Sequence, residues 1–278
     1  MKSLKGLDLA LSLVVLIKQV PDIQKVKFDV EKGRVDRSSA EAEINPFDLN
    51  ALEAAVEIKE KLGGKVIAIS MGPPQAEAAL RDALSRGADE AILLEDSRFA
   101  GADTLATSFT LSYAVKKLGK FDIIFCGEKT VDGDTGQVGP EVSEHLNVPI
   151  IPYVSKILKV SSEGITASSE MGDVSCTFEA RFPVLLTVTK DLNRPRLPSL
   201  KDKLRAKKAE IKIWRADDLA DVGDLSRVGY QGSPTSVYKV VVPPEKERKG
   251  EIYTHSERAI ERLVDVLRER VAHIAGQR

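Results

Sequence analysis

The chain has 278 residues, with 41 Lys and Arg against 42 Asp and Glu, and this near balance offers no overall attraction to nucleic acid or to an anionic membrane. Its hydrophobic fraction of 42% excludes a disordered chain, and the length fits one large domain or two small ones. The two cysteines, Cys126 and Cys176, cannot build a disulfide framework, a CxxC redox pair or a four-thiolate metal or iron–sulfur site, so any redox chemistry has to come from an organic cofactor.

The apolar run Leu9 to Ile17 follows Lys2 and Lys5 but is short, contains Ser12 and leads into Lys18 and Gln19 without a small-residue cleavage site. It reads as a strand and not as a secretory signal. No stretch approaches the roughly 20 apolar residues that span a bilayer, so the expected location is cytoplasmic, with any membrane association made through partner proteins.

From residue 12 to about 150, short apolar runs alternate with helical patterns, the signature of a parallel sheet covered by helices. The runs are Leu13 to Ile17, Val66 to Ser70, Ala91 to Leu94 and Ile123 to Cys126, apolar without alternation, as strands buried on both faces are. Val26 to Val30 does alternate, and with the turn-like Glu31 to Arg34 it reads as a small hairpin outside the main sheet. Asn45 and Pro46 supply an N-cap and a pre-set first turn for a helix carrying Leu49, Leu52, Ala55, Val56 and Leu62. Pro73 and Pro74 open a second helix, and Leu105, Phe109, Ser112 and Val115 mark a third. After Pro149 come the β-like segments Ser155 to Val160, Ile165 to Ser169, Val174 to Ala180 and Val184 to Thr189, with no long helices between them, which predicts antiparallel additions. Residues 191 to 208 are proline-rich and then basic. A last helix, from about Ser256 to Ala275, follows Pro243, Pro244 and the charged stretch Glu245 to Glu251 as a tethered arm, with Ile260, Leu263, Val264, Leu267, Val271 and Ile274 on one stripe.

The densest feature is Gly127 to Pro140, directly after the Ile123 to Cys126 strand. Gly133, Gly136 and Gly139 permit positive φ and close backbone approach, and Thr135 places a hydroxyl at the expected start of the next helix. Together they suit a phosphate or pyrophosphate; an ordinary Asp/Gly turn is the structural alternative. The spacing is neither Walker A nor GxGxxG, and a calcium loop starting at Asp132 would put Ser143 where a bidentate Glu is needed. Two carboxylates in a phosphate cradle would repel the ligand, so Asp132 and Asp134 are assigned to capping and ribose contacts. The segments Ile44 to Asp48 and Ser70 to Pro74 converge on the same sheet end, where ligands of open parallel sheets bind. The three histidines, His145, His255 and His273, form no hydrolytic or metal motif and read as surface or packing residues. In Asp191 to Leu200, leucines sit among prolines and arginines, a low-entropy tip suited to a partner pocket, and the following lysines lack the aromatic interleaving of single-stranded nucleic-acid binders.

Val15 to Val20, Asn45-Pro46-Phe47, Val66 to Gly72, Asp132 to Pro140 and Asn193-Arg194-Pro195-Arg196, in this order, resemble the electron transfer flavoprotein β subunit across about residues 12 to 215. The resemblance implies a Rossmann-like α/β fold, with helices on both faces of a parallel sheet, and a nucleotide-binding domain over 12–235. It also implies that residues 236–278 form an arm and helix contacting an α subunit that carries its own FAD. Family nucleotide contacts fall on Leu16, Asn45, Pro46, Phe47, Asp48 and Met71. They continue through Gly127, Glu128, Lys129, Thr130, Val131, Asp132, Gly133, Asp134, Thr135, Gly136, Gln137 and Val138. The family's partner-recognition loop falls on Asn193 to Arg205, including Arg196 and Leu197, with Leu200 as anchor, and its acidic position ahead of a glycine pair falls on Glu170, followed here by Gly172 alone.

The Gly-Asp-Thr-x-Gln-Val-Gly-Pro form resembles the bifurcating branch, associated with nitrogen fixation and anaerobic pathways, in which β binds FAD. The implied activity is that of an electron carrier subunit, NADH-oxidising only within a larger complex. One electron goes to ferredoxin or flavodoxin, and the other goes toward a quinone oxidoreductase or an acyl-CoA dehydrogenase-type partner. Three alternatives stay open at this level: a non-bifurcating β subunit holding structural AMP, an adenine-nucleotide-binding regulatory module, and an interaction subunit without cofactor.

Overall fold

The computed structural model describes residues 10–21, 27–29, 34–36, 42–238 and 257–275. The chain divides into two compact units, Met1–Lys239 and Val240–Arg278.

In the first unit, strand β1 (Leu11–Leu16) is an inner strand of a nine-stranded sheet. On one side it pairs in parallel with β6 (Gly64–Met71), which pairs with β7 (Glu90–Leu94), which pairs with the edge strand β13 (Lys212–Trp214). On the other side β1 pairs in parallel with β8 (Ile123–Gly127), followed by β12 (Val184–Val188) and β9 (Ile150–Val160). The antiparallel strands β10 (Gly164–Met171) and β11 (Val174–Arg181) complete that edge. The departure from the parallel layer after Pro149 therefore begins at β10, since β9 is still parallel to β12, and the apolar Val184 run returns to the parallel layer. Two small sheets stand apart: β2 (Gln19–Pro21) with β5 (Ala42–Ile44), and β3 (Lys27–Asp29) with β4 (Arg34–Asp36). The second is the hairpin expected around Phe28; its turn, Glu31 to Gly33, lies outside the described residues.

Both faces of the inner parallel strands β1, β6, β7, β8 and β12 are buried, which is why their sequences lack alternation. Leu11, Leu13, Val15 and Ile17 pack into one core with α1 (Pro46–Leu62) and α2 (Glu77–Ser85), and α5 (Leu200–Lys208) adds Ala206 there. Val14, Leu16, Ile69, Ile92 and Ile124 pack into the other with α3 (Thr104–Leu118) and α4 (Val138–Leu146). Leu13, Ile123 and Ile124 are fully buried, each stabilising the fold by about 2 kcal/mol relative to exposure. Asp103 caps α3 by accepting the Ala106 N–H at 3.0 Å, and Ser199 caps α5 from the Asp202 N–H.

The chain builds outward from β1 in one direction, through β6 and β7, and then returns to its other side at β8. The connection thus reverses between β1 and β8, and the crevice outside their carboxyl ends is the topological switch point of the sheet.

The second unit contains α6 (Glu257–Ala275), on which Ile260, Leu263, Val264, Leu267 and Val271 are exposed. The segment Pro243 to Glu251 and the Ile274 side chain lie outside the described residues. No helix among the described residues is long and apolar enough to cross a membrane, and no cluster of His, Cys, Asp and Glu among them could hold a metal ion.

Candidate functional site

Three loops meet at the switch point: Ile17–Lys18 after β1, Met71–Pro73 after β6, and Glu128–Gln137 after β8. The start of α1 binds the first and the third together. The Asp48 carboxylate accepts the backbone N–H of Lys18 at 2.8 Å through Oδ2 and that of Gly127 at 2.9 Å through Oδ1. Asp48 is only 4% exposed, and burial pushes its carboxyl up to about 6 against the pull of these hydrogen bonds. Asn45, fully buried, donates from Nδ2 to the Lys129 carbonyl at 2.9 Å and accepts the Val131 N–H at 3.2 Å.

These contacts correct two expectations. Asn45 precedes the helix as an N-cap residue, but its side chain makes no cap hydrogen bond; it clamps the β8 loop. Asp48, which falls on a family nucleotide contact, turns its side chain inward and braces the end of β1 against β8. The close approach also explains Gly127, where a Cβ would fall 2.5 Å from Phe47 Cβ and 2.6 Å from Asp48 Oδ1. Phe47 is buried beneath two cations, with Lys190 Nζ 4.6 Å and Lys129 Nζ 6.0 Å from its ring centre. Pro46 is half-buried at the first helical position.

Beyond the clamp the loop turns over itself, the Asp134 N–H donating to the Thr130 carbonyl at 2.8 Å. Glu128 is held to β12 by its N–H to the Val188 carbonyl at 2.9 Å, and burial raises its carboxyl above the ordinary range. Residues 132–135 and Gln137 are exposed, and Gly136 between them is half-buried. Asp132 and Asp134 are neither caps nor free: Asp132 pairs with Lys18 at 2.8 Å and Asp134 with Lys129 at 2.8 Å. Lys18 is a site residue the sequence reading missed.

Of the three glycines, only Gly136 takes a positive φ, +63°. Gly139 serves packing instead, since a Cβ there would lie 2.6 Å from Thr187 Cγ2 and 3.0 Å from Cys126 Sγ, so α4 lies directly on β12 and β8. Thr135 stops short of the helix, which begins at Val138; the N-cap residue Gln137 makes no side-chain cap bond, so its side chain leaves the first-turn N–H groups uncapped. Those groups form the positive end of the helix dipole, the arrangement that favours an anion.

Leu16 is 5% exposed and packs into the core between the sheet and α3, so its side chain does not reach the crevice. Met71 is half-buried where the β6 loop begins, and Gln19 Nε2 ties the β1 side to that loop through the Gln75 carbonyl at 2.9 Å. Among the described residues, two buried side-chain oxygens lack a hydrogen-bond partner, Ser70 Oγ at the close of β6 and Glu141 Oε2 in the first turn of α4. Both stand at the loop end of the sheet, and burial raises the Glu141 carboxyl above its ordinary range. His145 stacks on Phe109 at 3.9 Å between α3 and α4, in a packing role.

The second expected region divides. Leu197 is 88% exposed and Leu200, the first residue of α5, is 75% exposed, with Leu204 one turn further on also exposed. Arg196, expected to face a partner, is instead engaged within the chain: its guanidinium binds Glu53 at 2.9 Å and Glu60 at 2.5 Å, and its carbonyl accepts from Arg86. Glu170 lies exposed on β10, in register with Ser175 of β11, on the antiparallel extension and not on this loop.

Residues 32–219 match the family described as Electron transfer flavoprotein domain. The chain is 47% identical over 262 residues to the electron transfer flavoprotein subunit beta of Thermoanaerobacterium thermosaccharolyticum, covering 94% of this chain and 99% of that protein. It is 47% identical over 241 residues to the subunit beta of Clostridium acetobutylicum, with 87% and 90% covered. It is also 39% identical over 260 residues to Protein FixA of Bradyrhizobium diazoefficiens, with 91% and 90% covered. With a parallel sheet whose switch point gathers a clamped, glycine-bearing loop, and with this extent of likeness, the chain belongs to the electron transfer flavoprotein family, among its β subunits.

Proposed function

We propose that the chain is the β subunit of a bifurcating-type electron transfer flavoprotein and holds FAD at the β1/β8 switch point. The observation that carries this reading is the exposed strip from Asp132 to Gln137, which leads from the crevice to the uncapped start of α4. Its small residues, Gly133, Thr135 and Gly136, leave room for a continuing pyrophosphate, and the unpartnered Ser70 and Glu141 oxygens at the same sheet end are consistent with an added polar group.

In this reading Asn45 and Asp48 fix the loop without touching the ligand. Gly133 to Val138 offer backbone and hydroxyl groups to the phosphates, and Met71 flanks the adenine side. A bound flavin supplies two-electron chemistry toward NADH and one-electron chemistry toward carriers. The partner is an α subunit carrying a second FAD, contacted by residues 236–278, whose helix α6 presents an apolar stripe. A low-potential acceptor of the ferredoxin or flavodoxin class takes one electron, and a quinone oxidoreductase or acyl-CoA dehydrogenase-type partner, met through Leu197 and Leu200, takes the other. Glu170 contributes to a partner surface on β10. The complex works in the cytoplasm.

The decisive experiment denatures the purified α/β complex and counts its released cofactors. Two FAD per heterodimer and no AMP are expected. One FAD with one AMP would overturn the bifurcating reading in favour of a structural nucleotide, and no nucleotide on β would leave only an interaction role.

A further inference from the structure

Asp132 and Asp134 put two negative charges on the loop proposed to receive a phosphate, and they differ in how water treats them. The Asp134 side chain is 68% exposed, so solvent screens it even without Lys129. The Asp132 side chain is 17% exposed, and its charge depends on a protein partner. That partner comes from across the crevice: Lys18 Nζ lies 2.8 Å from both carboxylate oxygens, linking the end of β1 to the loop after β8, 114 residues along the chain.

The Lys18 backbone is hydrogen-bonded through both its N–H and its carbonyl. Its N–H is held by Asp48 at 2.8 Å and its carbonyl by the Asn45 N–H at 2.9 Å, so the side chain extends from a fixed base. Burial pushes the Asp132 carboxyl up, and Lys18, with smaller help from the Thr130 hydroxyl and the Asp132 backbone N–H, more than offsets it, leaving the group below its ordinary value and ionised at neutral pH. The loop therefore carries a permanent anion beside the proposed phosphate position, made tolerable by one lysine.

We propose that Lys18 is the charge-compensating positioning residue of the nucleotide loop: by neutralising Asp132 across the switch point, it gives the site its tolerance for a phosphate-bearing ligand. The inference rests on the nucleotide reading above. In this proposal Lys18 acts through Asp132, whose two oxygens engage two of its three ammonium N–H groups. Removing the lysine uncovers a shielded carboxylate that repels an incoming phosphate, an effect on the order of 10- to 100-fold in affinity for like charges a few ångströms apart. The adenosine moiety alone carries no charge and is not affected.

The test titrates AMP, FAD and adenosine into the nucleotide-depleted full-length chain in complex with its α partner. Lys18→Ala is expected to weaken AMP and FAD about 10- to 100-fold while adenosine changes less than about twofold. Lys18→Arg should keep most of the affinity, and adding Asp132→Asn to Lys18→Ala should restore AMP binding to within about threefold of the unaltered protein. A double variant no better than Lys18→Ala alone would overturn the proposal, because the lysine would then be acting directly on the ligand. Equal losses for AMP and adenosine would overturn it as well, marking a purely structural role. Failure of the unaltered protein to bind either nucleotide would instead remove the nucleotide reading, and this inference with it.

Discussion

The Arg196 guanidinium lies 2.9 Å from the Glu53 carboxylate, which is only 8% exposed, and the same carboxylate accepts the Arg196 backbone N–H at 2.9 Å. This contact, between residues 143 apart in the chain, fastens the proline-rich loop to α1, the helix that also clamps the loop after β8. One helix thus orders both regions that the family resemblance marks for function.

Arg196 and Leu200 should therefore fail differently. Arg196→Ala leaves Glu53 buried without its cation and is expected to cost about 2–3 kcal/mol in urea unfolding, with weaker partner reduction as the loop loosens. Leu200→Ala removes an exposed side chain, so stability should stay within about 0.5 kcal/mol while electron delivery to the partner falls. Equal stability losses would show that the loop is one packed unit. An unchanged delivery rate in Leu200→Ala would remove the docking assignment.

Asp48 predicts a pH signature. Its folded-state value, about 6, lies above the ordinary 3.8, so the folded chain holds the proton more tightly. The contribution to stability is fully present below the ordinary value and is lost as pH rises through about 6, some ~3 kcal/mol across the window. Asp48→Asn cannot titrate, and it offers one oxygen to two backbone N–H groups, at a cost of about 1–3 kcal/mol. Unfolding at pH 4, 5.5 and 7 should therefore show the gap between the two proteins narrowing as pH rises. A constant gap would mean that Asp48 is not the titrating group.

Glycine substitutions along the β8 loop should fall into two groups. Gly127→Ala and Gly139→Ala each force a Cβ within 2.6 Å of heavy atoms, and about 1–3 kcal/mol of destabilisation is expected, with nucleotide content lowered in the first. At Gly133 the nearest atom to a new Cβ is Thr130 Oγ1 at 3.3 Å, so Gly133→Ala should be tolerated within about 0.5 kcal/mol. Thermal melts of the three variants, with their cofactor content, check this order.

The parallel layer was readable in the sequence because its inner strands are buried on both faces and its first helix opens on Pro46. Strand β13 was not, since Lys212, Ile213 and Trp214 are too few to show a pattern and only Trp214 is half-buried. The loop after β8 was legible from its glycines, but what each polar residue faces was not. An Asn ahead of a helix reads as a cap whether it bonds its own helix or a loop 84 residues away, as Asn45 does. A lysine after a strand reads as solvated, so Lys18 stayed hidden until the fold brought Asp132 to it.

Because β1 is an inner strand paired on both edges, the order of synthesis constrains when the crevice can exist. By the time β7 has emerged, β1 has a neighbour on one edge only, and its other edge waits for β8, with Ile123 to Phe125 pairing back to Leu13 to Val15. Until then the Asn45 side chain lacks its partners on the loop after β8, and Asp48 has the Lys18 N–H but not that of Gly127. Closure of this crevice is thus a long-range event that comes late in the assembly of the sheet, and a nascent chain arrested between β7 and β8 has half a core and an open crevice.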